Sequence, residues 1–141
     1  MRIMRALAVV LLASACGHAP PPKTAAAERP VKTVADVAGH WVTSDDMDWY
    51  YALALDPSGG LDLVIDRNKM GKCEQKGKLV AGDAPQTFLL TYERNECNRD
   101  FNGASVQVKI ESFTGDSLTL ALIGTGQERH RFTRDPKSVV Q

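Results

Sequence analysis

Apolar and polar residues alternate along most of the chain after Gly39, in short segments separated by Gly, Pro, Asn and Asp. A period of two places alternate side chains on opposite faces of a β-strand, whereas no ten-residue stretch of this region shows the 3.6-residue period of a helix. The alternation therefore predicts an all-β domain. Its eight strands are expected at residues 41–43, 49–55, 61–66, 72–80, 88–92, 106–110, 118–122 and 127–133.

The connections between these segments are mostly short, which favours antiparallel pairing of strands that are neighbours in the chain. Eight strands paired in this way can close into a barrel without free edges. We predict an eight-stranded antiparallel up-and-down barrel over residues 36–135, followed by a tail at 136–141. Thr33 and Asp36 have the spacing of a capping box, which predicts one helical turn at 33–37.

The large apolar residues of the strands share one face, which is expected to point into the barrel. The interior of an eight-stranded barrel is just wide enough to be filled by side chains or to hold one small ligand. The sequence leaves both outcomes open. The residues that would line a ligand pocket are Trp49, Tyr51, Leu53, Leu63, Phe88, Leu90 and Tyr92.

The N-terminus has the features of an export signal. Arg2 and Arg5 precede an apolar run at residues 6–13, which is much shorter than the ~20 residues of a membrane-spanning helix. We predict a signal peptide over residues 1–15. Because Ala13-Ser14-Ala15 also satisfies the A-x-A rule of ordinary cleavage, a plain secreted protein is one alternative.

Residues 11–16, LLASAC, resemble the lipobox of bacterial lipoproteins. The resemblance implies cleavage before Cys16, a lipid on that cysteine, and attachment of the mature chain to a membrane. Gly17 stands where some inner-membrane lipoproteins carry aspartate, so the resemblance implies the outer membrane of a bacterial envelope. Residues 16–35 are rich in Pro and Ala and predict a flexible linker between anchor and barrel.

Cys73 and Cys97 remain as an even pair if Cys16 takes a lipid. In an oxidising compartment we expect them to form a disulfide, and two free thiols are the alternative. Closing a loop of about 25 residues would stabilise the fold by roughly 3 kcal/mol. The chain has no C-x-x-C spacing, so we expect no zinc site at these cysteines.

The charge of the chain excludes some functions. The whole chain has a formal net charge of zero, and removal of residues 1–15 leaves 15 basic against 17 acidic residues. This balance gives no attraction to nucleic acid, which we do not expect as a partner. His130 has no visible nucleophile and orienting carboxylate in the pattern, so we expect it to be structural, and we expect neither an enzyme nor a cofactor.

Three aspartates, Asp45, Asp46 and Asp48, cluster between the first two predicted strands. Carboxylates at this density could bind Ca²⁺, but the spacing lacks the Gly and the terminal Glu of an EF-hand loop. We therefore expect a solvated acidic loop and no metal site.

Gly39-His40-Trp41 resembles the G-x-W signature of the lipocalins and their calycin relatives. The resemblance implies that Trp41 lies at the closed end of the barrel with an arginine of the last strand packed across it. Arg134 is expected in this role because it shares parity with Phe132, and Arg131 is the second choice. The chain resembles the short lipocalin-like domains of bacterial lipoproteins more than it resembles the classical ligand carriers.

Two functions follow from these expectations. The first is a lipid-anchored binding module that holds a small apolar ligand in the barrel. The alternative is a solid barrel that acts as a structural or inhibitory module and binds an envelope protein through the loops at 45–48 and 95–103. In the second loop, Phe101 could form part of an exposed recognition edge or pack into the end of the barrel.

Overall fold

The computed structural model describes residues 27–124 and 128–139. The predicted signal peptide, Cys16 and the predicted linker up to residue 26 lie outside the described residues. The described chain contains each of the eight predicted strands, with somewhat different ends. They are β1 (Gly39–Ser44), β2 (Tyr50–Leu55), β3 (Gly60–Asp66), β4 (Lys72–Ala81), β5 (Thr87–Asn95), β6 (Ser105–Phe113), β7 (Ser117–Ile123) and β8 (Arg129–Arg134).

The strands form one closed antiparallel barrel in chain order, which confirms the predicted fold. Each strand pairs with the next, and β8 pairs back onto β1 through Trp41 with Arg134 and Val42 with Thr133. Because successive strands run in opposite directions, the connections alternate between two ends. We call the end with the β2–β3, β4–β5 and β6–β7 connections the closed end, and the other end the open end.

Short 3-10 helical turns accompany the strands. The first, at Val34–Val37, confirms the helical turn predicted from the capping box: the backbone N–H of Thr33 donates to the Asp36 carboxylate at 2.9 Å. The predicted tail contains another turn, Pro136–Val139. Within the described residues, no helix is both long and apolar enough to cross a membrane.

The segment before the first helical turn belongs to the folded domain, so the predicted linker boundary at residue 35 is wrong. The backbone N–H of Arg29 donates to the carbonyl of Phe113 at 2.7 Å, and Val31 is only 2% exposed. Val34 and Val37 are buried in the same core. These valines cover the closed end of the barrel and exclude water from it, which is the physical reason for the earlier start of the domain.

A shift in the pairing of β4 with β5 changes which residues face inward. Gln75 pairs with Asn95 and Gly77 pairs with Tyr92, with an irregularity between Lys76 and Gly77. A Cβ at Gly77 would lie 2.6 Å from the Thr91 carbonyl oxygen, so the close approach of the two strands requires glycine. Because Asn95 still pairs with Gln75, it is the last residue of β5. The loop predicted at residues 95–103 therefore starts one residue later.

The predicted disulfide between Cys73 and Cys97 is confirmed, with the two Cα atoms 5.1 Å apart. It joins β4 to the β5–β6 loop (residues 96–104), and the backbone N–H of Glu96 also donates to the Glu74 carbonyl at 2.9 Å. Covalent and hydrogen bonds therefore fix this loop against the wall of the barrel at its open end.

Candidate functional site

A cavity of about 400 Å³ lies inside the barrel, so side chains do not fill the interior. Six of the seven predicted pocket residues line it: Trp49, Tyr51, Leu53, Leu63, Leu90 and Tyr92. Most of the remaining lining is aliphatic. The apolar lining residues that the sequence analysis did not select include Leu55, Leu61, Ile65, Leu79, Val106, Val108, Ile110, Leu120, Leu122 and Phe132.

Phe88, the seventh predicted residue, is not part of the cavity lining. It is 1% exposed and lies at the start of β5, next to the β4–β5 connection at the closed end. Its inward direction was predicted correctly, but its position along the barrel axis places it in the packed core and not beside the cavity. Alternation along a strand fixes the face of a side chain and not its depth.

Trp41 and Arg134 pack together at the closed end of the barrel. The guanidinium carbon of Arg134 lies 4.4 Å from the centroid of the fully buried Trp41 ring. Arg134 also donates to the backbone carbonyls of Ala38 and Gly115. Arg131, the second choice, is exposed on the outer face of β8. A Cβ at Gly39 would lie 2.5 Å from Arg134 Nη1, so this glycine leaves room for the guanidinium.

Asp45 connects the β1–β2 loop to the cavity wall. One of its carboxylate oxygens accepts from the backbone N–H groups of Met47 and Trp49, and the other accepts from the Tyr51 hydroxyl at 2.8 Å. The sequence predicts that all three aspartates are solvated. Asp46 and Asp48 are exposed as predicted, but Asp45 is half-buried, so the prediction is wrong for this residue. Within the described residues, no group of three or more His, Cys, Asp and Glu side chains is arranged to hold a metal ion.

The hydrogen bond between Asp45 and Tyr51 separates the pKa values of the two groups. Burial raises the pKa of Tyr51, and the hydrogen bond to the Asp45 carboxylate raises it further. Burial opposes ionisation of Asp45, but the hydrogen bonds from Tyr51, Trp49 and Met47 outweigh burial and lower its pKa. At neutral pH, Asp45 is therefore the acceptor and Tyr51 the donor.

Gln75, Tyr92 and Asn95 form a second polar group, which we call the polar patch; all three line the cavity. Asn95 is 2% exposed, and its side-chain oxygen accepts from the backbone N–H of Asn98 at 2.9 Å. Within the described part of the chain, neither the Asn95 amide nitrogen nor the Tyr92 hydroxyl makes a hydrogen bond. Burial raises the pKa of Tyr92, and the negative charge of Glu128 adds to this effect, so the hydroxyl keeps its proton.

Phe101 packs into the open end of the barrel and is half-buried, which settles the two positions left open for it. Its ring meets the Tyr92 ring edge-on, with the centroids 6.0 Å apart, and it lines the cavity. The 3-10 turn Arg99–Phe101 begins after Asn98, whose side chain accepts from the backbone N–H of Asp100. The β5–β6 loop thus forms one wall of the cavity mouth.

The charged part of the lining lies at the open end. Glu128 is the only carboxylate among the described lining residues, and these residues include no Lys or Arg. The Nε2 atom of His130 lies 3.9 Å from the Glu128 carboxylate. The centroid of the His130 ring lies 4.9 Å from the centroid of the Tyr51 ring. The sequence pattern predicts a structural role for His130, and its side chain lies in the cavity wall.

No protein-family model, curated protein or solved structure matches this chain.

Proposed function

We propose that the protein binds a small, mostly apolar ligand inside its barrel. The observation that supports this proposal is the 400 Å³ cavity, which is within the usual range of about 300–1,000 Å³ for ligand pockets. Its walls are mainly aliphatic and aromatic, so a ligand would gain about 25 cal/mol for each Å² of apolar surface removed from water. This is the kind of function that the resemblance to lipocalins implies.

The cavity predicts binding of a neutral apolar probe such as N-phenyl-1-naphthylamine. We expect saturable enhancement of its fluorescence, accompanied by a change in the emission of Trp49, which lines the cavity. Leu120→Trp should fill the cavity and abolish binding. Leu89→Trp is the matched control because Leu89 is exposed on the outer face of β5. Equal binding by both variants would show that the probe binds outside the barrel and would contradict the proposal.

We also propose that a lipid on Cys16 attaches the protein to a bacterial envelope membrane, with the outer membrane as the site. The arrangement of the two ends of the barrel supports this proposal. The chain enters the folded domain at the closed end, so a tether at that end leaves the cavity mouth, at the open end, facing away from the membrane. Cys16→Ser should move the protein from the membrane fraction to the soluble fraction. Its retention in the membrane fraction would contradict lipid attachment at this residue.

A further inference from the structure

We infer that the ligand is an uncharged amphiphile whose polar head group, a hydroxyl, carbonyl or amide, is bound by the polar patch of Gln75, Tyr92 and Asn95. An ionised fatty acid would be excluded. This inference rests on the proposed function and adds the chemical class of the ligand to it.

The amide nitrogen of Asn95 is a free donor at the cavity wall. The residue is 2% exposed, its side-chain oxygen accepts from the Asn98 N–H, and its amide nitrogen makes no hydrogen bond within the described residues. That nitrogen keeps some accessible surface, because Asp62 Oδ1 is the only fully buried side-chain polar atom without a partner among these residues, and Asn95 lines the cavity. An amide nitrogen that is accessible from a cavity can donate to a molecule bound there, and it loses hydration at a cost if that molecule offers no acceptor. A ligand oxygen in the cavity would supply the missing acceptor.

The strand register brings uncharged polar groups together at one place on the cavity wall. Gln75 lies directly opposite Asn95, and Tyr92 faces the same cavity beside Gly77. Side chains of directly opposed residues are close enough to bind the same group. The Asn95 backbone N–H donates to the Asn102 side chain at 2.6 Å, and Cys97 is held by the disulfide, so the patch is positioned before a ligand enters.

The described part of the cavity wall offers no Lys or Arg as counter-ion to an acidic ligand. The two cations next to the polar patch do not line the cavity and pair with acids outside it: Lys76 with Glu74 at 3.2 Å, and Arg94 with Glu96 at 2.9 Å. A carboxylate in the cavity would lose its hydration with no Lys or Arg to compensate its charge, and Glu128 at the mouth would repel it. His130, the one imidazole of the described lining, already lies 3.9 Å from the Glu128 carboxylate.

Four probes with the same decyl chain separate the head groups: 1-decanol, decanamide, decanoate and decylamine. Calorimetric titration at pH 7 would use the full chain carrying Cys16→Ser, which has no lipid of its own at that residue to compete. We expect the two neutral probes to bind at least about tenfold more tightly than decanoate, a difference of about 1.4 kcal/mol. Decylamine has no acceptor for the Asn95 amide nitrogen, so it controls for simple attraction to Glu128. Binding of decanoate or decylamine as tight as that of the neutral probes would overturn the inference.

The same titrations distinguish the inference from the proposed function. If neither the four probes nor N-phenyl-1-naphthylamine binds, the proposed function itself is wrong. If N-phenyl-1-naphthylamine binds and Leu120→Trp abolishes that binding, but the decyl head group makes no difference, the function stands and the inference is wrong.

Asn95→Asp tests the central residue. It retains the oxygen that accepts from Asn98 and replaces the free donor by a charged acceptor. Affinity for methyl decanoate, an uncharged probe whose oxygens accept but cannot donate, should therefore fall about tenfold or more. Gln107→Glu makes the same amide-to-carboxylate change at an exposed position of β6 and should leave affinity unchanged. Tyr92→Phe, which removes only a hydroxyl, provides a second measurement and should weaken 1-decanol binding several-fold. Unchanged affinity in both cavity variants would overturn the inference.

Discussion

Asp45 shows how the role of one side chain can depend on a partner that only the folded chain supplies. In the sequence it belongs to an acidic cluster with Asp46 and Asp48, and all three side chains have the same chemistry. Only Asp45 reaches the Tyr51 hydroxyl, which lies on β2 at the wall of the cavity. The sequence could not distinguish the three because their difference arises from the direction of the loop after β1.

The pKa of Asp45 predicts a pH-dependent contribution to stability. Its pKa is below the ordinary value because its hydrogen bonds outweigh burial, so its contribution is present above about pH 4, the unfolded pKa, and is lost as pH falls through the folded pKa. Asp45→Ala should lower the free energy of unfolding by about 1.5–3 kcal/mol at pH 7. The difference from the natural chain should shrink at pH 3.

Urea unfolding at pH 7, 5 and 3 would measure this effect. Asp46→Ala is the control because Asp46 is exposed, and it should change stability by less than about 0.5 kcal/mol at each pH. A difference between Asp45→Ala and the natural chain that is the same at every pH would show that the ionised carboxylate is not responsible.

Arg134 and Arg131 provide a matched pair on β8. Arg134→Met should lower the free energy of unfolding by about 1–3 kcal/mol, because it removes the cation from the Trp41 face and two hydrogen bonds to backbone carbonyls. Arg131→Met removes the same charge from an exposed position and should change stability by less than about 0.5 kcal/mol. Urea unfolding followed by tryptophan fluorescence measures both. Equal effects of the two substitutions would contradict a specific role for Arg134.

At the scale of strands, the sequence predicts the existence and order of all eight because their inward residues are large and apolar. The strand ends are less well predicted where the pairing register shifts. In β5 the shift turns both Tyr92 and Asn95 inward, and in β6 a similar irregularity lies between Ile110 and Ser112, before the buried Phe113. Strict alternation cannot anticipate such an irregularity, since the extra residue reverses the parity that follows it.

This effect explains why the apolar part of the candidate site was largely predictable and the polar patch was not. Leu53, Leu63 and Leu90 follow the regular alternation and line the cavity as expected. Asn95 and Gln75 are polar, and polar residues in an alternating pattern indicate the outer face or a loop. Gly77 is the one available signal, because an isolated glycine within a strand pattern is typical of an irregularity in pairing.

The disulfide stabilises the connection between two elements, β4 and the β5–β6 loop. Replacing both Cys73 and Cys97 by alanine should lower the free energy of unfolding by about 3 kcal/mol, because the unfolded chain is no longer constrained across a separation of 24 residues. Urea unfolding of the natural chain with and without reductant provides the matched comparison. The reduced natural chain should resemble the double variant, and a loss below about 1 kcal/mol in both would contradict this estimate.

At the scale of the whole molecule, the two ends of the barrel have different roles. The closed end is filled by Trp41, Phe113 and Leu118 beneath the N-terminal valines, whereas the cavity is bounded at the open end by loops held with hydrogen bonds and a disulfide. Val37 belongs to both regions, since it lines the cavity and its carbonyl accepts from the Trp41 indole at 2.9 Å. Covering the closed end therefore also builds the floor of the cavity.

The N-terminal segment should consequently be necessary for a stable barrel. A chain that starts at residue 36, the boundary predicted from the sequence, lacks Val31 and Val34, and burial of one valine contributes about 1.5–3 kcal/mol. We expect it to be at least about 3 kcal/mol less stable in urea than a chain that starts at residue 27. The double variant Val31→Ala/Val34→Ala of the longer chain should reproduce most of this loss, since it removes the same apolar contacts without shortening the backbone.

Equal stability of the chains that start at residues 27 and 36 would show that the barrel needs no cover at its closed end. In that case the valines would be packed there without contributing to the fold.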